Sequence, residues 1–234
     1  MLIHAFILCN NEEKLIPYLV RHYKQFVKVI ILESNSTDNT IDLARNAGAE
    51  VWSYDVKDEI DDTWFTHLKN NCWKESRADW VMIADADEFI YHPDIVNILK
   101  RSRAQIIQPR FFNMYSEVFP TTQGQIYEEV TKGIEQTSPK AKMNIFRPTI
   151  KEINYFPGCH EAFPGNVKID TETPIKTLHM RNLSKEFIIE RNLRARARNS
   201  QANRQNGWGV HVDWPQEKWI ADFEEGLKQA VKII

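Results

Sequence analysis

The chain has 234 residues, 42% hydrophobic and 26% charged, close to an average globular composition. Its 30 Lys and Arg against 32 Asp and Glu leave a formal charge of −2, whereas a dedicated nucleic-acid binder is normally strongly basic. These values exclude a disordered tail, a collagen-like fibre and a disulfide-stapled miniprotein, and the length suffices to bury roughly 70% of the unfolded surface without staples.

The opening run Met1 to Cys9 is apolar but too short to span a bilayer, and it has neither a basic leader nor a small-residue cleavage site. It predicts a strand over Leu2–Cys9, buried on both faces. A helix starts near Pro17, with Leu19, Val20, Tyr23 and Phe26 on one side. Val27–Leu32 reads as a second strand. Asp38 and Thr40 open a short helix that stops before Gly48, and Ala49–Tyr54 is a third strand. Trp64, Leu68, Cys72 and Trp73 repeat at helical spacing, Trp80–Ala84 is a fourth strand, and Pro93 begins another helix. Such alternation predicts an α/β fold with an open, mostly parallel sheet flanked by helices.

The second half loses that rhythm. Residues 116–142 read as a long loop, followed by short strands at Met143–Phe146, Ile153–Phe156 and Ile175–Met180. Ser184 caps a helix running to about Asn203, and Pro215 starts a terminal helix with Trp219, Phe223, Leu227 and Val231 as its buried stripe. The expected organisation is one domain, with a regular α/β half over 1–110 and an irregular half over 111–234, the last third of the chain wrapping the N-terminal sheet. Cys9, Cys72 and Cys159 are odd in number and lack CxxC spacing, which fits a reducing compartment and no zinc site. No stretch of about twenty apolar residues occurs, so the expectation is a cytoplasmic protein with at most peripheral membrane contact.

The most informative segment is Trp80 to Phe89, where an apolar strand runs into Asp85-Ala86-Asp87-Glu88. Strand alternation would aim Asp85 and Asp87 to one side. Two like charges so close call for a cation, and a hard divalent ion with diphosphate oxygens would supply it. The carboxyl end of such a strand is where open α/β sheets hold ligands. Two further polar turns, Asn10 to Glu13 and Glu33 to Thr40, follow the first and second strands. Their side-chain acceptors and backbone donors suit a nucleoside.

Together, Asn11-Glu12-Glu13, Ser36 to Thr40 and Trp80 with Asp85-Ala86-Asp87-Glu88-Phe89 resemble glycosyltransferase family 2. The resemblance is strong over residues 1–100 and traceable to about residue 190. It implies a GT-A fold, a nucleotide-sugar donor (UDP-sugar first, GDP- or dTDP-sugar as alternatives) and Mn2+ or Mg2+. The acceptor would be a glycan, a polysaccharide or a lipid-linked species. The nucleotide-sugar would be held by Asn11, Glu12, Glu33, Ser34, Asp38, Asp85, Ala86 and Asp87. Asp85 would contact ribose or sugar, and Asp87 would ligate the metal. Glu33 and Ser34 replace acids usual in the family.

His179 is expected to complete the metal shell ahead of His160, and nitrogen ligation leans the site toward Mn over Ca. Inverting transfer needs a base, for which Glu161 is the first candidate, followed by Asp170 and Asp213. Arg191, Arg194 and Arg198 lie at helical spacing, either facing an anionic ligand or solvated. The acidic run Asp55, Asp58, Glu59, Asp61 and Asp62 reads as a solvated loop. Three rival functions are a nucleotidyltransferase, a metal-dependent phosphoesterase and an inactive nucleotide-sugar-binding module. The nucleotidyltransferase would need a glycine-rich basic loop after the first strand, and Asn10 to Glu13 is not one.

Overall fold

The computed structural model describes residues 1–54, 59–136 and 142–234. In chain order the first half comprises β1 (Ile3–Cys9), α1 (Ile16–Tyr23), β2 (Lys28–Glu33), α2 (Thr40–Asn46), β3 (Glu50–Ser53), α3 (Asp62–Asn71), β4 (Trp80–Asp85), β5 (Glu88–Tyr91) and α4 (Ile95–Arg101). There follow β6 (Ile106–Ile107), β7 (Arg110–Ser116), β8 (Lys132–Gln136), β9 (Ile145–Phe146), β10 (Ile169–Asp170) and β11 (Lys176–Leu183). The chain ends with α5 (Lys185–Arg198), α6 (Gln201–Asn206), α7 (Gln216–Gln229) and β12 (Val231–Lys232).

A seven-stranded sheet runs β10-β6-β9-β4-β1-β2-β3, and its β4-β1-β2-β3 part is parallel. Strand alternation divides its core in two. Ile3, Ala5 and Ile7 pack on one face with Leu15, Leu19 and Tyr23. Phe6, Ile30, Val81 and Ile83 pack on the other with Trp73 and Phe146. Because β2 lies on one side of β1 and β4 on the other, the strand order reverses there and opens a crevice at their carboxyl ends.

A second sheet, β12-β8-β7-β11-β5, stands beside the first. Its β5 follows β4 across the two-residue turn Ala86–Asp87, so the chain passes between sheets within the Asp85–Glu88 segment. Asp87 is therefore a turn residue, and its orientation comes from that turn rather than from strand alternation. Residues 116–142 are not one loop: β8 forms within them and pairs antiparallel with β7. Ile153–Phe156 makes a single bridge, Tyr155 to Ala162, instead of a strand. The helix capped by Ser184 ends at Arg198, and Ser200 caps α6 separately. Val231 leaves the terminal helix for β12 and is exposed.

Asp55 and Asp58 lie outside the described residues. Glu59 is exposed in a bend, but Asp61 and Asp62 are not solvated loop residues: Asp61 caps α3 by accepting from the Thr63 and Trp64 backbone N–H groups, and Asp62 is in the helix. Among the described residues no helix is long and apolar enough to cross a membrane.

Candidate active site

The crevice holds a cavity of about 580 Å³, within the range of small-ligand sites. Its walls come from the carboxyl ends of β1, β2 and β4, from α3, and from α5 with the turn after α6. Asn10, Glu12, Glu33, Ser34, Asp85, Ala86 and Asp87 all line it.

Asn11 and Asp38 instead brace the loops. Asn11 Oδ1 accepts from the Thr37 and Asp38 backbone N–H groups at 2.7 and 3.3 Å. Asp38 accepts from the Glu13 and Thr40 N–H groups. Neither lines the cavity, so both hold the turns after β1 and β2 in register rather than offering a surface to a ligand. Asn11 and Asn35 both have left-handed backbones, which asparagine tolerates better than most residues.

Protein cations answer the repulsion between the paired acids. Lys69 Nζ lies 2.6 Å from Asp85 Oδ1, and Lys142 Nζ lies 2.9 Å from Asp85 Oδ2 and 2.6 Å from Glu88 Oε1. Arg191 Nη1 approaches Asp87 Oδ2 at 2.5 Å while its Nη2 reaches Glu12 Oε1 at 3.1 Å. Burial opposes the charge on both aspartates. For Asp85 the two lysines outweigh it, and for Asp87 Arg191 and His179 do, so both carboxyls titrate below their ordinary range. Glu12 goes the other way: burial outweighs Arg191 and raises its carboxyl, and its Oε2 is buried without a partner.

His179 reaches this cluster because β11 pairs with β5, setting His179 opposite Glu88. Its Nδ1 lies 2.8 Å from Asn113 Oδ1, an oxygen that can only accept, so Nδ1 carries a proton. The other ring nitrogen, Nε2, faces Asp87 Oδ2 at 2.9 Å. In a neutral imidazole that would set a lone pair against a carboxylate, so the gap calls for a proton or another cation. Among the described residues no group of three or more His, Cys, Asp or Glu side chains could hold a metal.

Arg191, Arg194 and Arg198 all turn to the crevice, which decides against a solvated face. Arg194 donates to the Asn11 carbonyl and Arg198 to Asn10 Oδ1. Behind them Arg181 donates to Asn192 Oδ1 at 3.0 Å. Burial and the neighbouring Arg191 push its guanidinium down to about 10. A cation so disfavoured would be relieved by an anionic ligand.

Of the remaining candidates, His160 lines the cavity; His211, outside the sequence-based candidates, lines it too. Glu161 does not: it is exposed on the hairpin whose Phe156 N–H bonds its carbonyl. Asp170 accepts from Thr173 Oγ1 in its own turn, and Asp213 is paired with Arg204. None of these three acids lines the site. Sequence reasoning missed Lys69 and Lys142, whose contacts span 16 and 57 residues. For Lys69 there was a faint signal, a lysine next to Leu68 on the apolar side of α3; for Lys142 there was none.

Comparison with known proteins bears on the family and the fold. Residues 5–165 match the sequence profile of glycosyl transferase family 2. Over 89 residues the chain is 34% identical to a protein of Rickettsia felis named an uncharacterized glycosyltransferase, covering 37% of this chain and 29% of that protein. It is 28% identical over 104 residues to a TPR repeat-containing protein of Synechococcus elongatus, covering 44% of this chain and 24% of that protein. It thus spans less than a third of the length of these curated relatives. The crystal structure of S. aureus TarS 1–349 superposes with a TM-score of 0.50 at 14% identity, covering 85% of this chain and 65% of that one. At such identity the likeness concerns the fold, which is GT-A.

Proposed function

Since the chain belongs to glycosyltransferase family 2, we propose that it moves a sugar from a nucleoside-diphosphate donor, a UDP-sugar first, to a glycan or lipid-linked acceptor. The observation that carries this reading is the crevice itself. At the strand-order reversal it gathers Asp85 and Asp87 together with Arg181, Arg191 and Arg194 in one lining. That pairing of acids with guanidinium groups suits a ligand that is a sugar at one end and a diphosphate at the other. Asn10, Glu33, Ser34 and Tyr54 line the β1–β2 side, where the nucleoside fits.

The residues also fit the divalent ion expected with such a donor. Two ligand atoms at about 2.1 Å from an octahedral ion lie roughly 3.0 Å apart, and Asp87 Oδ2 and His179 Nε2 are 2.9 Å apart. Asn113 would hold the histidine tautomer from outside, the usual arrangement for a ligating imidazole. With two protein ligands, the remaining positions fall to the diphosphate and water. Bound there, Mn2+ or Mg2+ would neutralise charge on the leaving diphosphate. We read the transfer as one in-line displacement that inverts the anomeric carbon. The acceptor oxygen bonds to it as the bond to diphosphate breaks, and an enzyme carboxylate takes the acceptor proton.

The test is thermal melting with UDP, GDP and dTDP, each with and without Mn2+. A nucleotide at about a hundred times its Kd adds about 2.7 kcal/mol, roughly 5–10 °C for a chain of this size. UDP with Mn2+ should give that shift, and Asp87→Asn should abolish the part that depends on metal. No stabilisation by any of the three would overturn the reading. Binding without UDP release from any donor and acceptor would leave an inactive binding module.

A further inference from the structure

Among the described residues six carboxylates line the crevice, and five are already engaged. Asp85 is paired with Lys69 and Lys142, Glu88 with Lys142, Asp87 with Arg191 and His179, and Glu12 with Arg191. Glu33 is 3% exposed and accepts the Ser36 backbone N–H. The sixth, Asp62, makes no side-chain hydrogen bond or ion pair with a described residue; its backbone N–H donates to Asn203 Oδ1 at 3.0 Å. Asp62 belongs to the first turn of α3, and Lys69, seven residues on, lies on the same helix face. At 1.5 Å per residue the two positions are roughly 10 Å apart along the axis. Lys69 sits at Asp85, and Asp62 lines the same crevice at the other end of α3. Phe65 and Trp208 line the cavity with it, aromatic surface of the kind sugar rings pack against.

We propose that Asp62 is the carboxylate that takes the proton from the acceptor hydroxyl, a role that rests on the transfer reading above. A base must be within reach of the acceptor, uncommitted to a cation, and able to hold a proton near working pH. Asp62 lines the crevice in which an acceptor would meet the donor, and its carboxylate makes no ion pair with a described residue. For the third, burial raises its carboxyl, with Asp85 and Asp61 adding to the rise and Lys69 and Lys142 opposing it. As the group must be deprotonated to act, activity should fall as pH drops through a value above the ordinary aspartate range. Asp85, held low by its lysines, would not produce that limb.

The experiment compares wild type, Asp62→Asn and Asp61→Asn. UDP release is followed across pH from UDP-glucose, UDP-galactose and UDP-N-acetylglucosamine, with water and free mono- and disaccharides as acceptors, and UDP affinity is measured by calorimetry. Asn at 61 can still cap α3, so this variant controls for folding and local charge. Asp62→Asn should bind UDP within twofold of wild type, release it at least a hundredfold more slowly and lose the acid limb. Asp61→Asn should keep the rate and the limb, with the limb moved slightly to lower pH because one of the charges that raise Asp62 is gone. An Asp62→Asn protein retaining more than a tenth of the rate, or whose whole loss appears as weaker UDP binding, would overturn the assignment. So would a wild type that binds UDP but releases it from no donor. A wild type that binds no UDP would instead bring down the function on which the inference rests.

Discussion

Lys142 is 7% exposed, and its ammonium touches both Asp85 and Glu88. Replacing one member of a buried ion pair strands the other, at a typical cost of 3–5 kcal/mol. Asp85 would keep Lys69, but Glu88, 1% exposed, would lose its cation. Lys142→Met should therefore lower the melting temperature by about 10 °C or more, and adding Glu88→Gln should recover most of it. Equal melting of wild type and the single variant would mean the pair contributes nothing. Asp85 and Glu88 raise the Lys142 ammonium above its ordinary range against the pull of burial. The pair's contribution is thus fully present at neutral pH and is lost only as pH rises beyond the ordinary lysine value. At this scale the sequence was half legible. Glu12, Glu33, Ser34, Asp85 and Asp87 could be read because each ends or follows an apolar strand, and strand ends are where ligands go. Asp62 looked like one acid in a charged run, since nothing local distinguishes a helix residue facing a crevice from a solvated one.

Among the elements, α1 carries a histidine in its packed face. His22 is 2% exposed. Its Nε2 donates to the Ile90 carbonyl at 3.0 Å, which joins α1 to β5, and Tyr127 Oη lies 3.4 Å from Nδ1. Burial pushes the imidazole down to about 4, against a small opposing effect from the Ile90 bond. Between that value and about 6.5 the unfolded chain binds a proton that the folded chain refuses, so stability falls as pH falls. The full difference is about 3 kcal/mol by pH 4. His22→Gln keeps a donor toward Ile90 without titrating. Subtracting its urea-unfolding stability from that of wild type should leave a slope confined to this window, and a flat difference would show His22 already free to protonate. The N-terminal elements were legible because each parallel strand is a near-continuous apolar run followed by a periodic helix. β5, β7 and β8 were not, since β5 is four residues long and β7 and β8 become strands by pairing with partners distant in sequence. The Asn199 break was hidden because it lies in a run of helix-compatible polar residues.

Taken whole, the molecule is two sheets joined at the turn that carries Asp87, with α5 closing over the junction. The first sheet could be foreseen; the second could not, because its order is set by strands from both halves of the chain. Among the described residues the crevice between them is lined by six carboxylates and by six lysine and arginine cations, so before a metal binds, and with its histidines neutral, these side chains carry no formal charge. Its attraction for a doubly negative diphosphate is then a contact effect that vanishes a few ångströms out. Sites with an unbalanced field gain ten- to a thousandfold in association rate and lose it steeply in salt. Here, stopped-flow association of UDP without added metal should change by less than about twofold between low salt and physiological ionic strength, where the screening length shortens to about 8 Å. A tenfold fall would reveal a net field that the balance of side chains does not supply. The donor would find this crevice by collision, and the paired charges would govern how long it stays rather than how often it arrives.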